Sequence, residues 1–311
     1  MFSLQRYGIL GINARNLDYI FPSNPRRLYR LADCKLETKK VAQVVGVAVP
    51  ETYGVITFQN EVRNLANIIK KHKSFVVKPA QGSGGDGIVV IQDVTDAGYR
   101  KASGSILKPE DLHYHIHNIL SGMFSLGGQT DQAIIEYAVQ FDPVFAEIAY
   151  QGVPDIRVIV YRGVPAMAML RLPTRASDGK ANLHRGGVGV GIDLATGKTL
   201  AGIQKNRYID NHPETGHSLR DRQIPHWQTI LEMAACLGDK TEFGYLGVDI
   251  VLDQQKGPLL LEINARPGLS IQIANQQGLM PRLETINNTL PKFSGIQDKI
   301  KFAQEKFALE A

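Results

Sequence analysis

Cysteine is almost missing from this chain: of 311 residues only Cys34 and Cys236 carry thiols. Their spacing matches neither a disulfide framework nor a zinc-ligand pattern. Two free thiols fit a reducing compartment. Long apolar runs are also absent, and none reaches the roughly eighteen residues that a membrane-spanning helix needs. The opening MFSLQRYGILGINARN holds only the short apolar stretch YGIL, too little for the core of a secretory signal. A soluble, cytoplasmic protein is expected. There is no internal repeat, no low-complexity linker and no massed run of one charge. Lys and Arg outnumber Asp and Glu by 35 to 30, but they are scattered. That suits small anionic ligands or a weakly acidic partner and speaks against a dedicated nucleic-acid binder. The 43% hydrophobic and 21% charged content excludes a disordered chain, and the length allows one large domain or two to three lobes.

Hydrophobic periodicity predicts helices over 38–45, 59–72, 108–124 and 226–237. In the second of these, Val62, Leu65, Ile68 and Ile69 share a face. Strands are predicted at 52–56, 74–78, 88–91, 133–137, 156–161, 166–172 and 245–252, with 93–107 as a polar loop. Arg162-Gly163 reads as a hairpin turn between two of the strands. Hairpins interspersed with helices point to an α+β fold with antiparallel sheets rather than a doubly wound one.

Three segments carry chemistry. FVVKPAQGSGGDGI ends a strand at Lys78 and continues through Gly82, Ser83, Gly84, Gly85 and Gly87. Such a loop lets backbone N–H groups approach an anion, and a lysine at its base can bridge phosphates. It is not a Walker A loop, and a flexible hairpin tip would look similar. GVDIVLDQQKGPLLLEINARPG places Asp249 on one strand and Glu262 with Asn264 on the next. Residues two apart on a strand face the same way, so a carboxylate and an amide leave an apolar strand together. With Asp249 they form a hard-oxygen set suited to Mg²⁺; capping turns or accepting arginine hydrogen bonds is the other reading. RLPTRASDGKANLHRGG carries Arg171, Arg175, Lys180, His184 and Arg185; its arginine forks suit carboxylate or phosphate, and the lack of interleaved aromatics argues against nucleic acid.

Taken in order over residues 33–270, these segments resemble the ATP-grasp superfamily, and within it the RimK-type alpha-L-glutamate ligases. The resemblance implies two α+β subdomains whose antiparallel sheets clamp ATP: an N-terminal segment 1–34, a lysine and glycine-loop subdomain 35–137 and a magnesium-binding subdomain 138–311. The domain that precedes the first lysine in typical members is expected to be truncated, with only 34 residues before Lys35. DCKLETKK matches the segment whose lysine touches nucleotide phosphates, making that residue Lys35, with Lys78 the second. IIEYAV matches the hinge that reads adenine, through Glu136 and the backbone of Tyr137 and Ala138. The resemblance places Arg157, Asn182 and Arg185 at the γ-phosphate and acyl group. It makes Asp249, Glu262 and Asn264 the magnesium ligands. Arg171, His184, Arg266 and Ser270 are candidate substrate contacts.

The implied activity is an ADP-forming carboxylate–amine ligation through an acyl phosphate, with ATP and Mg²⁺ as cofactors. It would add glutamate or a similar amino acid to a small-molecule or peptide acceptor, with the glycine loop closing over the nucleotide. The resemblance also implies a membrane-protein partner and homo-oligomers. An ATP- or ADP-binding regulatory or assembly protein, or an ATP-grasp kinase, would use the same groups. The polar stretch 204–223 has no counterpart in the pattern and is expected to shape the substrate site.

Overall fold

The computed structural model describes residues 7–82, 84–289 and 293–309. It divides into two compact units that interleave along the chain: a smaller one of residues 33–36 and 49–140, and a larger one of residues 1–32, 37–48 and 141–311. Residues 37–48 therefore pack with the larger unit although they precede most of the smaller one.

The smaller unit is built on a six-stranded sheet. Its strands are β1 (Thr52–Ile56), β2 (Phe75–Pro79), β3 (Val89–Thr95), β4 (Gly98–Lys101), β5 (Ile106–Leu107) and β6 (Ala133–Glu136), in the order β1-β6-β2-β3-β4-β5. Every pairing is antiparallel. The helix Pro109–Leu120 turns Leu112, Ile116 and Ile119 into one core with Phe75, Val77, Ile91 and Ile135.

Two expectations fail here. Residues 59–72 are not one helix but a 3₁₀ turn, Gln59–Asn64, followed by Leu65–Ile69. The Glu61 carboxylate accepts the N–H groups of Thr57 and Phe58 at 2.8 and 3.0 Å and so tightens the first turn. The stretch 93–107 is not a loop, because β3 runs on to Thr95 and β4 and β5 follow. Buried Tyr99, edge-on to Phe75 at 5.7 Å, holds that ribbon down although its flanking residues are polar.

The larger unit carries a seven-stranded antiparallel sheet. Its strands are β7 (Asp155–Tyr161), β8 (Val164–Leu172), β9 (Val188–Ile192), β10 (Thr199–Gln204), β11 (Arg207–Ile209), β12 (Tyr245–Asp253) and β13 (Gly257–Asn264), in the order β11-β10-β9-β8-β7-β12-β13. The helix Trp227–Lys240 covers one face, approaching so closely that a Cβ on Gly238 would lie 2.7 Å from Val160 Cγ1. Asp155 and Arg157 alternate with Ile156, Val158 and Val160 and so point to the opposite face. Among the described residues, no helix is long and apolar enough to cross a membrane.

The β12–β13 pairing changes register once. Ile250 faces Leu260, whereas Asp249 faces Glu262, so Leu261 is an extra residue at a β-bulge. Gly247 lies opposite Asn264. A Cβ there would sit 2.7 Å from Pro267 Cβ, so Gly247 lets residues 265–268 fold back on the sheet. Gly247→Ala is expected to cost about 1–3 kcal/mol through overpacking, measured as a lower urea midpoint at unchanged slope.

Candidate functional site

In the larger unit, four strands deliver charge to one patch of the sheet. Asp155 on β7 lies opposite Arg171 on β8, and Arg157 on β7 lies opposite Asp249 on β12. Arg157 grips both Asp249 oxygens, with Nε to Oδ1 at 2.7 Å and Nη2 to Oδ2 at 2.5 Å. Arg171 donates Nη2 to Asp249 Oδ2 at 2.6 Å and Nε to Asp155. Asn264 donates Nδ2 to Asp249 Oδ2 at 3.2 Å, and Glu262 Oε1 is 3.5 Å from the same nitrogen. Asp249 is 1% exposed, and Asp155, Arg157 and Arg171 are nearly enclosed.

Three carboxylates and two guanidinium groups leave this network one negative charge in excess when all are ionised. Its two aspartates are driven apart by their surroundings. Burial pushes Asp155 up to about 7 against the pull of Arg171, and the neighbouring Asp249 charge adds to the rise. Burial would raise Asp249 as well, but Arg157 and Arg171 outweigh it and hold that carboxyl down at about 2. Asp249 therefore contributes stability that is complete above the ordinary aspartate range and lost as pH falls through about 2.

Both sequence readings of these acids meet here. Asp249 does accept arginine hydrogen bonds, and Asp249, Glu262 and Asn264 do converge. Among the described residues no cluster of three or more His, Cys, Asp or Glu side chains is arranged to hold a metal; the candidate set is two acids and an amide. Its hard-oxygen chemistry and excess negative charge fit a Mg²⁺-type ion. Asp155 was missed as a member of the patch, although its position two before Arg157 on an alternating strand was the available signal.

The other predicted residues of this unit lie on loops beside the sheet. Asn182 starts the 3₁₀ turn Leu183–Arg185, its Oδ1 accepting the His184 N–H at 3.0 Å. Gly186 ends the turn at φ +100, a conformation that favours glycine. His184 and Arg185 are exposed. A Cβ on Gly268 would lie 3.9 Å from His184 Nε2, which sets this turn against residues 265–268. Arg266 is exposed and lies over the Tyr29 ring at 4.5 Å. Ser270 precedes the helix Ile271–Ala274, its carbonyl accepting the N–H groups of Ile273 and Ala274 at 3.1 Å.

The stretch 204–223 braces the arginine-rich segment at both ends. Gln204 donates Nε2 to the Gly186 carbonyl at 2.9 Å. Buried His212 donates Nε2–H to the Pro173 carbonyl at 3.2 Å, and Glu214 accepts the Arg175 N–H at 3.0 Å. Burial lowers the His212 pKa against the pull of the Pro173 carbonyl and Glu214, and the neutral ring lets Nδ1 accept the Glu214 N–H at 3.3 Å.

In the smaller unit, Lys78 on β2 and Glu136 on β6 form an ion pair with both side chains almost fully enclosed. Lys78 lies opposite Ile134 and Val76 opposite Glu136, so the pair is diagonal on one face. The Glu136 carboxylate is thus engaged by Lys78, and the Tyr137 N–H donates to the Glu51 carbonyl at 2.9 Å. The Ala138 carbonyl accepts from Gln140 Nε2 at 3.2 Å. Lys35 opens the helix Lys35–Val44, with its Nζ donating to the Gly82 carbonyl and its N–H to Ala80 at 2.9 Å. Gly84, Gly85 and Gly87 take φ of +64, +79 and +73. Ser83 lies outside the described residues.

Two α+β units, each built on an antiparallel sheet, match the fold of ATP-grasp proteins. The profile of the sugar-transfer associated ATP-grasp family matches residues 14–288, and the chain belongs to that family. No curated protein matches it. Among solved structures, the chain is similar to the biotin carboxylase domain of 2-oxoglutarate carboxylase from Hydrogenobacter thermophilus, determined with MgADP, ADP and bicarbonate. The TM-score is 0.51 at 13% identity, covering 91% of this chain and 49% of that one. It is also similar to D-alanyl-alanine synthetase A from Vibrio cholerae, with TM-score 0.49, 12% identity, and 90% and 66% coverage. A RimK-domain ATP-grasp protein from Sphaerobacter thermophilus gives TM-score 0.45, 14% identity, and 84% and 70% coverage. The chain thus spans from half to two thirds of the first two. At such identities the likeness concerns the fold.

Proposed function

We propose that this protein is an ATP-dependent carboxylate–amine ligase of RimK-like chemistry, joining glutamate or a similar amino acid to an acceptor. The observation that carries the reading is the convergence of Glu262 and Asn264 on Asp249, beside two arginines. Asp249, Glu262 and Asn264 would hold magnesium, which neutralises phosphate charge when bound. Arg157 and Arg171 fix the Asp249 carboxylate in one orientation, so the donor set is preorganised. In the smaller unit, Lys35, Lys78 and the N–H groups of Gly84, Gly85 and Gly87 suit nucleotide phosphates. Arg185 and His184, exposed on the turn after Asn182, suit the carboxylate to be activated or its phosphorylated form. The substrate carboxylate would attack the γ-phosphorus, giving an acyl phosphate and ADP; an amine then displaces phosphate. The family's association with sugar transfer favours an acceptor that itself bears a saccharide.

The test is to supply the purified chain with Mg-ATP, glutamate and a saccharide-bearing acceptor fraction that holds both amines and carboxylates. Formation of ADP and free phosphate together with a product heavier by one amino-acid residue supports the ligase. Phosphate retained on the product would instead show a kinase, and no amino-acid-dependent ADP release would point to a regulatory nucleotide binder.

A further inference from the structure

The glycine loop of the smaller unit is mounted at both stems on residues 115–131, and the mount centres on a buried carboxylate outside the predicted site. Asp131 is 4% exposed. Its Oδ1 accepts the N–H of Gln132 at 2.7 Å and that of Gln81 at 3.2 Å. Its Oδ2 accepts Gln81 N–H at 3.0 Å and the Ser125 hydroxyl at 2.7 Å. Gln81 immediately precedes Gly82, which pairs with Ser125 through an isolated antiparallel bridge. A Cβ on Gly82 would lie 2.4 Å from Pro79 Cγ, so the first stem folds tightly back on β2.

The second stem is held from the same arm. His115 donates Nε2–H to the Gly87 carbonyl at 2.9 Å; a carbonyl can only accept, so the proton sits on Nε2. A Cβ on Gly87 would lie 2.6 Å from the Phe124 ring, and that ring lies against His115 at 5.4 Å between centroids. The arm closes on itself at Gly122, where φ is +85 and a Cβ would sit 2.2 Å from the Gln129 carbonyl oxygen.

A buried carboxylate is costly unless its oxygens are hydrogen-bonded, and charged acceptors make the stronger bonds. Here the cost is offset by the N–H groups of Gln81 and Gln132 and the Ser125 hydroxyl, and no cation among the described residues pairs with it. The Lys35 contacts converge on the same stem, its N–H on Ala80 and its Nζ on Gly82. We propose that Asp131 is the positioning residue of the glycine loop, aiming the N–H groups of Gly84, Gly85 and Gly87 and the Lys35 ammonium at the phosphates of a bound nucleoside triphosphate. It acts through Gln81 and Ser125 and does not touch the ligand. This rests on the ATP reading above.

Asp131→Asn and Ser125→Ala, made in the full chain, test it. An amide keeps one accepting oxygen but no longer accepts at both, so Asp131→Asn should weaken Mg-ATP binding about tenfold, roughly 1.4 kcal/mol. Adenosine, which has no phosphates, should bind as to wild type, and Ser125→Ala should give a smaller loss in the same direction. Without any nucleotide, hydrogen exchange at Gly84, Gly85 and Gly87 should speed up in Asp131→Asn while Val77 and Ile135 keep wild-type protection. Wild-type ATP affinity in Asp131→Asn overturns the proposal, as does an equal loss for ATP and adenosine, which would mark general damage. A wild-type chain that binds no ATP sinks the ligase reading itself. Unchanged loop exchange would then overturn the anchoring separately.

Discussion

Asp249→Ala is expected to lower the unfolding free energy by about 3–5 kcal/mol, because it strands two buried arginines without the carboxylate that both grip. Arg157 spends two donors on Asp249 and Arg171 one. Alanine removes all three acceptor contacts and the Asn264 contact in one step, and no described carboxylate can take over the Arg157 fork from the same register. Asp155→Asn is the contrasting variant. Its carboxyl is pushed up to about 7 and so carries only part of a charge near neutrality, and asparagine keeps an oxygen for Arg171 Nε. That change should cost about 1 kcal/mol or less. Urea unfolding of both variants at pH 7 separates the cases; equal stability of Asp249→Ala and wild type would refute the account of the network.

Glu262→Ala should do the reverse, sparing the fold and removing the ligand response. Glu262 is only half-buried, at the rim of the patch, and contributes to it as a charge near Arg171. Wild type given Mg-ATP at a hundred times its dissociation constant should gain about 2.7 kcal/mol of stability. The variant should gain nothing measurable in the same thermal scan, while its melting temperature without ligand stays close to wild type. A variant stabilised as well as wild type would remove Glu262 from the metal set. Together the two substitutions separate the acid that both the fold and ligand binding depend on from the acid that ligand binding alone depends on.

The α+β class and the hairpins of β7–β8 and β12–β13 were legible because their alternation of apolar residues is undiluted by turns. The run of β3 beyond Ile91 and the strands β4 and β5 were not, since a sheet edge exposed to water alternates weakly and Tyr99 is the one large buried side chain between Gln92 and Leu107. Of the site, Asp249, Glu262, Asn264 and Arg171 could be named from residue type and spacing, and Arg157 from the family resemblance. That Arg157 and Arg171 both converge on Asp249 could not, because it depends on which strand neighbours which, and β12 sits beside β7 despite the long stretch of chain between them. Asp131 gave no signal at all: it lies in a polar loop, and its role comes from Gln81, 50 positions away. Contacts of that separation are set by the closed fold, not by local propensity.

The extra leucine of β13 has a consequence for how this chain can vary. Counted by strict alternation from Leu259, the acid and the amide would be turned toward the helix-covered side, and Leu261 and Ile263 toward the arginines. The parity of the hairpin is therefore set by its residue count as much as by its composition. A family member one leucine shorter here would pair without interruption and still oppose its glutamate to the aspartate. A member one residue longer at the turn would need a compensating change elsewhere. Length differences of a single residue between the aspartate and the glutamate should therefore occur in step with the presence or absence of the bulge, and no point substitution can stand in for either.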